Sequence, residues 1–190
     1  MASLTPATGS DSDWDYSRQS ELWYYGEFKT TGGSGFLNID FGKKIGANTG
    51  LYYGYTYNRS VYRMSEGYYY RENYLVQNPP QALGDLASTY SLTYQGPHIR
   101  LCGTQPFSAK TKMTWSLAFS PLILAQGHGW WNLRNLNFTH TGLARMWDAS
   151  VGINFTPGAN TPSLSIGYRY QYFGIHTGAE DTATDVGWTR

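Results

Sequence analysis

The stretch Thr111-Lys-Met-Thr-Trp-Ser-Leu-Ala-Phe-Ser-Pro121 contains the pattern that decides the fold of this chain. Apolar side chains alternate in it with small or polar ones: Met113, Trp115, Leu117 and Phe119 against Lys112, Thr114, Ser116, Ala118 and Ser120. Because successive side chains of a β-strand point to opposite faces of the sheet, such a segment has one apolar face and one polar face. The stretch therefore predicts a strand that lies between two different environments.

The same alternation recurs along the chain, at 37–41, 51–57, 90–94, 99–101, 150–155 and 163–172. Several of the predicted strands exceed the about 5–6 residues usual in globular proteins and reach the about 9–11 that cross a bilayer at a tilt. Between 90–94 and 99–101 the apolar residues move from even to odd positions, which predicts a β-bulge near Gly96-Pro97. With that bulge, Thr93 and Gln95 lie on the polar face.

The segments between the predicted strands alternate in length. Short turns are predicted near residues 46, 107 and 158, and long loops at 1–17, 65–84, 125–132 and 178–190. Outer-membrane barrels combine short turns at one end with long loops at the other, an apolar outside and a polar inside. The sequence therefore predicts one all-β domain over 1–190, an antiparallel up-and-down transmembrane β-barrel with about six long strands between 18 and 177.

Composition excludes several other classes of protein. The chain has 190 residues, a formal net charge of +1, 14% charged residues and 17% aromatic residues. A net charge near zero gives no electrostatic basis for binding nucleic acid. The one cysteine, Cys102, excludes an internal disulfide and a cysteine-based zinc site, and the sequence predicts no metal ion and no cofactor.

Three landmarks make the chain similar to a known family. They are Asp11-Ser-Asp-Trp14, the strand Gly50-Leu-Tyr-Tyr-Gly-Tyr-Thr-Tyr-Asn-Arg59, and the run from Thr93-Tyr-Gln-Gly-Pro97 through Phe119-Ser-Pro121 to Leu136-Asn-Phe138. Their order and spacing resemble those of the omptins, a family of bacterial outer-membrane proteases with non-protease-like relatives. The resemblance covers about residues 10–178. It implies a ten-stranded barrel in the outer membrane with a peptide-cleaving groove at its outer rim.

Against that family, the chain lacks the first three strands and the last one. An open sheet cannot lie in lipid, because its edge backbone groups have no hydrogen-bonding partners. Three arrangements would resolve this: the six strands close a smaller barrel, further chains or strands complete the barrel, or the sequence is an excerpt of a longer protein. The sequence leaves these alternatives open.

The resemblance also implies a catalytic site, in which an Asp–His pair activates a water molecule and an Asp pair faces it. Asp11 and Asp13 correspond to the facing pair, whereas Gly129 and Trp131 stand at the positions of the catalytic aspartate and histidine. Neither of the latter takes up a proton, and His128 is the nearby candidate for a general base. The sequence therefore favours a barrel without protease activity, in a structural or surface-interaction role. The alternative is an active endopeptidase that uses Asp11, Asp13 and His128.

Arg59 and Tyr55 are the candidate lipid-binding residues. Both share the predicted lipid face of their strand, and Arg59 lies near the outer rim, where a guanidinium is well placed to meet a phosphate of lipopolysaccharide. The alternative is that Arg59 lies at the rim of the barrel and binds no specific ligand. The predicted partners are thus outer-membrane lipid and lipopolysaccharide. Polar residues on the opposite face are expected to fill the lumen as a hydrogen-bonded plug: Asn38, Asp40, Thr56, Thr93, Gln95, Arg169 and Gln171.

A third interpretation is a soluble, aromatic-rich β protein that binds carbohydrate. In such a protein the apolar strand faces point inwards, and Trp130 and Trp131 stack on sugar rings. A folded chain that stays soluble without detergent would favour this interpretation over both membrane ones.

Overall fold

The computed structural model of the protein describes residues 2–18, 20–84, 86–131, 135–158, 161–184 and 187–189. These residues form nine strands and one short 3-10 turn at Tyr16–Arg18. The strands are β1 (Ala2–Asp15), β2 (Glu21–Lys44), β3 (Thr49–Glu72), β4 (Leu75–Ala82), β5 (Leu86–Pro106), β6 (Thr111–Trp131), β7 (Leu136–Phe155), β8 (Leu164–Thr184) and β9 (Gly187–Thr189). No helix within the described ranges is long and apolar enough to cross a membrane.

One antiparallel sheet contains all nine strands, in the order β1-β2-β3-β5-β6-β7-β8-β9, with β4 paired to β3. Six strands have 20 to 24 residues: β2, β3, β5, β6, β7 and β8. The connections at 45–48 and 107–110, and the end of β7 and the start of β8, lie at one end of the sheet, which we call the lower end, and the opposite end is the upper end. The antiparallel all-β architecture confirms the predicted fold class.

The upper end differs from the sequence prediction. Segments 1–17, 65–84, 125–132 and 178–190 are predicted as loops, but strands run through most of them, as β1, as β4, and as the ends of β3, β6 and β8. Residues 1, 132, 185–186 and 190 of these segments lie outside the described residues. Backbone hydrogen bonds extend a strand pair without any alternation of apolar and polar side chains. The strands therefore continue beyond the region in which that alternation is readable.

In the lower half the sheet has an apolar convex face and a polar concave face. On the convex face Leu117 is 45% exposed, Ile166 is 73% exposed and Tyr168 is 70% exposed. Ser116, the neighbour of Leu117 in β6, accepts a hydrogen bond from Arg100 on the concave face. The prediction that the apolar side chains of 111–120 point outwards is therefore confirmed.

In the upper half the two faces exchange character. Polar side chains such as Gln126 and Thr141 are exposed on the convex face. A buried apolar cluster covers the concave face there, formed by Ala118, Ile123, Ala125, Ala144 and Met146, with Tyr94 and Phe173 packed against it. The outside of the lower half is thus suited to an apolar environment, and the outside of the upper half is suited to water.

The faces exchange at a β-bulge in β6. One extra residue separates Ser120 from Ile123, so that Pro121 and Leu122 are both exposed between buried neighbours. Pro121 has no backbone N–H to donate to the ladder, which favours an interruption at this position. β5 pairs with β3 without a shift through Gly96. The bulge predicted near Gly96-Pro97 is therefore wrong, because the extra residue lies in the neighbouring strand.

This correction changes the faces assigned to two lumen candidates. Since the alternation of β5 is unbroken, Thr93 and Gln95 lie on the convex face, and Tyr94 lies on the concave one. The Gln95 side chain accepts a hydrogen bond from Tyr55 at 3.3 Å and donates one to Gln126 at 3.2 Å, both on the convex face. The other polar residues predicted for the lumen lie on the concave face: Asn38, Asp40, Thr56, Arg169 and Gln171.

The sheet is curved, so that side chains of strands that are not neighbours meet across the concave face. The Asn58 amide of β3 donates to Gln171 of β8 at 3.1 Å, and the Arg169 guanidinium of β8 lies 4.1 Å from the ring centre of Phe36 in β2. The sheet is not closed. Within the described residues, β2 from 35 to 44 pairs with β3 alone, and β8 from 164 to 181 pairs with β7 alone.

Candidate functional site

Charged side chains converge on the concave face of the lower half, in what we call the lumen network: Asp40, His98, Arg100, Asp148 and Arg169, with Asn38 and Ser116. Only 1% of the Asp148 side chain is exposed. Arg169 donates to its two oxygens from Nε at 2.9 Å and from an Nη at 2.6 Å, and Arg100 donates from an Nη at 3.5 Å. A bidentate guanidinium–carboxylate pair is among the stronger hydrogen-bonded arrangements in proteins.

Asp40 organises the other half of the network. Its Oδ1 lies 2.7 Å from Nε2 of His98 and accepts a hydrogen bond from Nε of Arg100 at 3.2 Å. The His98 side chain is fully buried. With its amide oriented to satisfy both sides, Asn38 accepts hydrogen bonds from Arg100 and Arg169 at 3.0 Å each and donates to Thr56 at 2.6 Å.

The lumen network connects five of the six long strands, namely β2, β5, β6, β7 and β8. Two carboxylates face two guanidinium groups, so the paired charges balance. Buried charges remain ionised only when they are paired and hydrogen-bonded, and removing one partner leaves the others uncompensated. The network therefore ties the strands together across the lower concave space, as the predicted plug requires.

Sequence reasoning did not single out His98, Arg100 or Asp148 as site residues. Their signal is present in the sequence, because each occupies a position where β5 or β7 turns its polar face inwards. Opposite charges on inward positions of different strands are the observation that could have pointed to the network.

The acidic pair of the predicted catalytic site lies on β1 near the upper end. Asp11 stands opposite Gly26 and Asp13 stands opposite Tyr24 in the register of β1 with β2. Both partners are buried, so the two acids belong to the concave face. Burial raises the pKa of the Asp11 carboxyl above its ordinary value of 3.8, and a hydrogen bond from the Ser12 backbone offsets part of this effect.

The raised pKa of Asp11 predicts a pH effect on stability. The folded protein holds the Asp11 proton more tightly than the unfolded chain does, so this residue contributes its full stabilisation of the folded state below the ordinary pKa of 3.8. That contribution is lost as the pH rises through the folded pKa. In denaturant titrations between about pH 3 and pH 7, Asp11→Asn is expected to lose less stability on raising the pH than the wild type. Ser10→Ala, in the same strand, is the control, and an identical profile for Asp11→Asn would contradict the prediction.

Glycine at position 129 is explained by the ring that covers it. A Cβ at Gly129 would lie 2.0 Å from Cζ of Phe138, which is the paired residue of β7. Any side chain there, including the aspartate that the omptin resemblance implies, requires the phenyl ring to move. Position 129 is therefore a glycine covered by the Phe138 ring, and it carries no proton-accepting group.

Trp131, which stands at the position of the catalytic histidine in the omptin resemblance, also lies on the concave face. Its ring contacts Tyr24 edge-on, with ring centroids 5.1 Å apart, next to the register position of Asp13. His128 alternates with the buried Gly127 and Gly129, so its exposed side chain lies on the convex face. The structure therefore brings Asp11, Asp13 and Trp131 to one face and places His128 on the other.

Gly129→Ala is expected to destabilise the protein by about 1–3 kcal/mol, because the added methyl group overpacks the contact with Phe138. Denaturant unfolding measures the loss. In a Phe138→Ala background the same substitution should have little effect, since the clashing ring is gone. Gly84→Ala is the control, because a Cβ at Gly84 would meet nothing within 4 Å. Equal losses in both backgrounds would contradict this explanation.

The candidate lipid-binding residues both lie on the convex face of β3. Arg59 is exposed, and its cross-strand neighbours are Gly35 on one side and Thr93 on the other. Thr93 in turn pairs with Gln126 of β6. Tyr55 lies four residues below Arg59, in the apolar part of the same face, and is 48% exposed. The arrangement offers a guanidinium and a row of polar side chains immediately above an apolar surface.

Comparison with known proteins informs the fold of this chain. No protein-family model matches the chain, and no curated protein matches it in sequence. The crystal structure of the outer membrane protease OmpT from Escherichia coli matches it with a TM-score of 0.73. The chain has an OmpT-like fold. The match covers 95% of this chain and 66% of OmpT, at 14% sequence identity, so it establishes the fold alone.

The OmpT-like fold supports the resemblance predicted from the sequence landmarks at the level of architecture. This chain spans less than two thirds of the length of OmpT.

Proposed function

We propose that this chain is part of a bacterial outer-membrane β-barrel of omptin type that does not cleave peptides and has a structural or surface-interaction role. The observation that carries the proposal is the exchange of faces between the two halves of the sheet. An apolar convex face below and a polar one above is the pattern of a barrel that crosses a bilayer and projects from it. The six long strands, at 20 to 24 residues, are about twice the length needed to cross it.

Electrophoretic mobility in detergent, with and without boiling, tests the membrane part of this proposal. A folded outer-membrane barrel migrates differently before heating, and we expect such a shift for this protein. A folded chain that remains soluble without detergent would contradict the proposal and favour the carbohydrate-binding interpretation. That interpretation requires Trp130 and Trp131 to act together, although adjacent residues of β6 point to opposite faces.

The arrangement of the upper concave face supports the proposal that the chain does not cleave peptides. The Phe138 ring packs over Gly129, Trp131 packs against Tyr24, and His128 is turned to the convex face. We expect no cleavage of a basic-residue peptide in the presence of lipopolysaccharide. Cleavage that is abolished by His128→Ala would contradict this expectation and support the endopeptidase alternative.

The open edges of the sheet require a partner in lipid. Unpaired N–H and C=O groups along β2 and β8 would each lose several kcal/mol of hydrogen bonding in hydrocarbon. We propose that further strands, from a longer form of this polypeptide or from other chains, pair with both edges. β2 runs from the upper end to the lower end and β8 runs from the lower end to the upper end, so added strands can pair antiparallel at each edge. Cross-linking between cysteines introduced at Ile39 and Ile166 tests direct closure of the two edges on each other, which this proposal excludes.

We further propose that Arg59 binds a phosphate of lipopolysaccharide, with Tyr55 contacting the lipid below it. A charge-assisted hydrogen bond contributes about 1.5–3 kcal/mol, so Arg59→Ala should weaken lipopolysaccharide binding about tenfold or more. Arg63→Ala is the matched control, because Arg63 is an exposed arginine four residues higher in the same strand. Equal binding by both variants and the wild type would show that Arg59 is a rim arginine without a specific ligand.

A further inference from the structure

A polar cavity of about 450 Å³ opens on the concave face at the lower end of the sheet, below the lumen network. Its lining comes from β2, β3, β5, β6 and β7 and from the turn that joins β2 to β3. The cavity shares Ser116 with the lumen network, and its lining includes neither Arg59 nor any position of the predicted catalytic site. Its volume lies within the range of small-molecule sites.

Lysine side chains supply the charge at this cavity. Lys44 is part of the lining, and it is an exposed residue on the same face of β2 as Asp40, nearer the lower end. Lys112 of β6 alternates with the concave Thr114 and Ser116, so it adds a second exposed cation to the lower rim of that face. An anion that approaches the concave face from below therefore meets two ammonium groups.

The sequence leaves these two lysines without an acidic neighbour along the surrounding strands. It contains no aspartate or glutamate at 41–65, 86–147 or 149–179. The acids next to these ranges on the concave face, Asp40 and Asp148, accept hydrogen bonds from the guanidinium groups of the lumen network. The lysine charges are thus not neutralised from within these strands, and the cavity attracts anions.

Hydroxyl groups form much of the remaining lining, on strands that lie progressively further from β2: Thr49, Thr104, Thr114, Ser116 and Ser150. Ser116 accepts a hydrogen bond from Arg100 at 2.8 Å, and Thr114 accepts one from Asn154 at 3.3 Å. A hydroxyl group that accepts a hydrogen bond keeps its own proton to donate. The lining therefore offers donors from both ammonium and hydroxyl groups, which suit a ligand rich in acceptor oxygens.

The span of the cavity favours a ligand larger than a free phosphate ion. β2 and β7 are four strand spacings apart in the sheet, which is about 19 Å along its surface at about 4.8 Å for each spacing. The curvature of the sheet and the inward-pointing side chains shorten the direct path. A single tetrahedral anion held at Lys44 nevertheless leaves the hydroxyl group of Ser150 uncontacted, whereas a longer molecule reaches both sides.

We propose that this cavity binds a phosphate monoester of a sugar or another polyol. The phosphate lies at Lys44, because a lysine ammonium group binds phosphate as a compact point charge. The hydroxyl groups of the ligand bond to those of β6 and β7, including Ser116 and Ser150. This site is independent of the membrane location, of lipid binding at Arg59 and of peptide cleavage.

Protection of Cys102 from alkylation tests the proposal. Cys102 is the one cysteine of the chain, it is half-buried and it lies in the lining, so its reaction with iodoacetamide reports whether the cavity is occupied. With the refolded protein in a sugar-free detergent, glucose 6-phosphate is expected to slow the reaction in a saturable manner. Glucose should not slow it, because it carries no charge, and inorganic phosphate should bind at least tenfold more weakly. No protection by glucose 6-phosphate, or equal affinity for either control ligand, would overturn the proposal.

Two variants locate the ends of the ligand. Lys44→Gln should weaken protection by glucose 6-phosphate at least tenfold. Lys43→Gln is the matched control, because Lys43 is the adjacent exposed lysine on the convex face and lies outside the cavity, and it should behave as the wild type does. Equal weakening by both variants would reduce the effect to general charge and overturn the site.

Ser150→Ala tests the opposite end of the cavity. It should weaken binding of glucose 6-phosphate about threefold, as expected for the loss of a neutral hydrogen bond, and leave that of inorganic phosphate unchanged. Equal changes for the two ligands would overturn the assigned position of the sugar.

Discussion

Asp148→Ala is expected to destabilise the folded protein by about 3–5 kcal/mol, because it removes the carboxylate that pairs with two arginines in the lumen network. Its side chain is 1% exposed, so water cannot take over the hydrogen bonds without opening the network. The Arg169 guanidinium would still lie over the Phe36 ring, but it would lose its bidentate hydrogen-bonding partner. Denaturant unfolding in detergent measures the loss.

Two further variants separate the charge effect from a packing effect. Asp148→Ala combined with Arg169→Ala should be less destabilising than the sum of the single variants, because the pair then disappears together. Glu66→Ala removes an exposed ion pair with Lys29, whose side chains are 63% and 47% exposed, and should change stability by less than about 1 kcal/mol. Equal losses for Asp148→Ala and Glu66→Ala would show that the lumen network does not stabilise the fold.

Leu117→Arg is expected to destabilise the protein by about 2–4 kcal/mol in a lipid bilayer, which is the effect of an arginine on the lipid face of a barrel near the bilayer midplane. Leu117 lies on the convex face of the lower half and is 45% exposed. In the proposed membrane location, a guanidinium at this position removes apolar contact with acyl chains and exposes a charge to hydrocarbon. Unfolding of the protein reconstituted in vesicles measures the change.

Gln126→Arg is the matched control for the lipid face. Gln126 points to the same convex side of the same strand, but it lies above the bulge, where the outside of the sheet is polar. The expected change is about 0–1 kcal/mol, as for positions at the membrane interface or beyond it. If the two substitutions had equal effects, the apolar convex face would not be in contact with lipid, and the proposed location would be wrong.

The alternation of side chains predicted the lower half of the molecule well. The period of two is a direct consequence of strand geometry, so an apolar face at Met113, Trp115, Leu117 and Phe119 is readable without any partner strand. It predicted the antiparallel fold, the outward orientation of these residues and the concave placement of Asn38, Asp40 and Arg169. The signal disappears in the upper half, where strands stay paired through backbone hydrogen bonds although their faces change character.

The candidate site could be predicted from the sequence less well than the fold. The positions of Asp11, Asp13, Gly129 and Trp131 came from a resemblance, and the register places them on the concave face. The outward orientation of His128 needed the exact position of the bulge, because one inserted residue reverses every side chain beyond it. That bulge belongs to β6 and not to β5, and both contain a proline near it.

By itself the sequence determined that this chain forms long antiparallel strands with one apolar and one polar face, because that property depends only on the spacing of residues along each strand. Only the tertiary structure decided which charges meet, since Asp148 pairs with Arg169 and Arg100 through the register and curvature of several strands. It also decided that Phe138 covers Gly129. Contacts between strands depend on register, and a shift of one residue turns the same side chain to the opposite face.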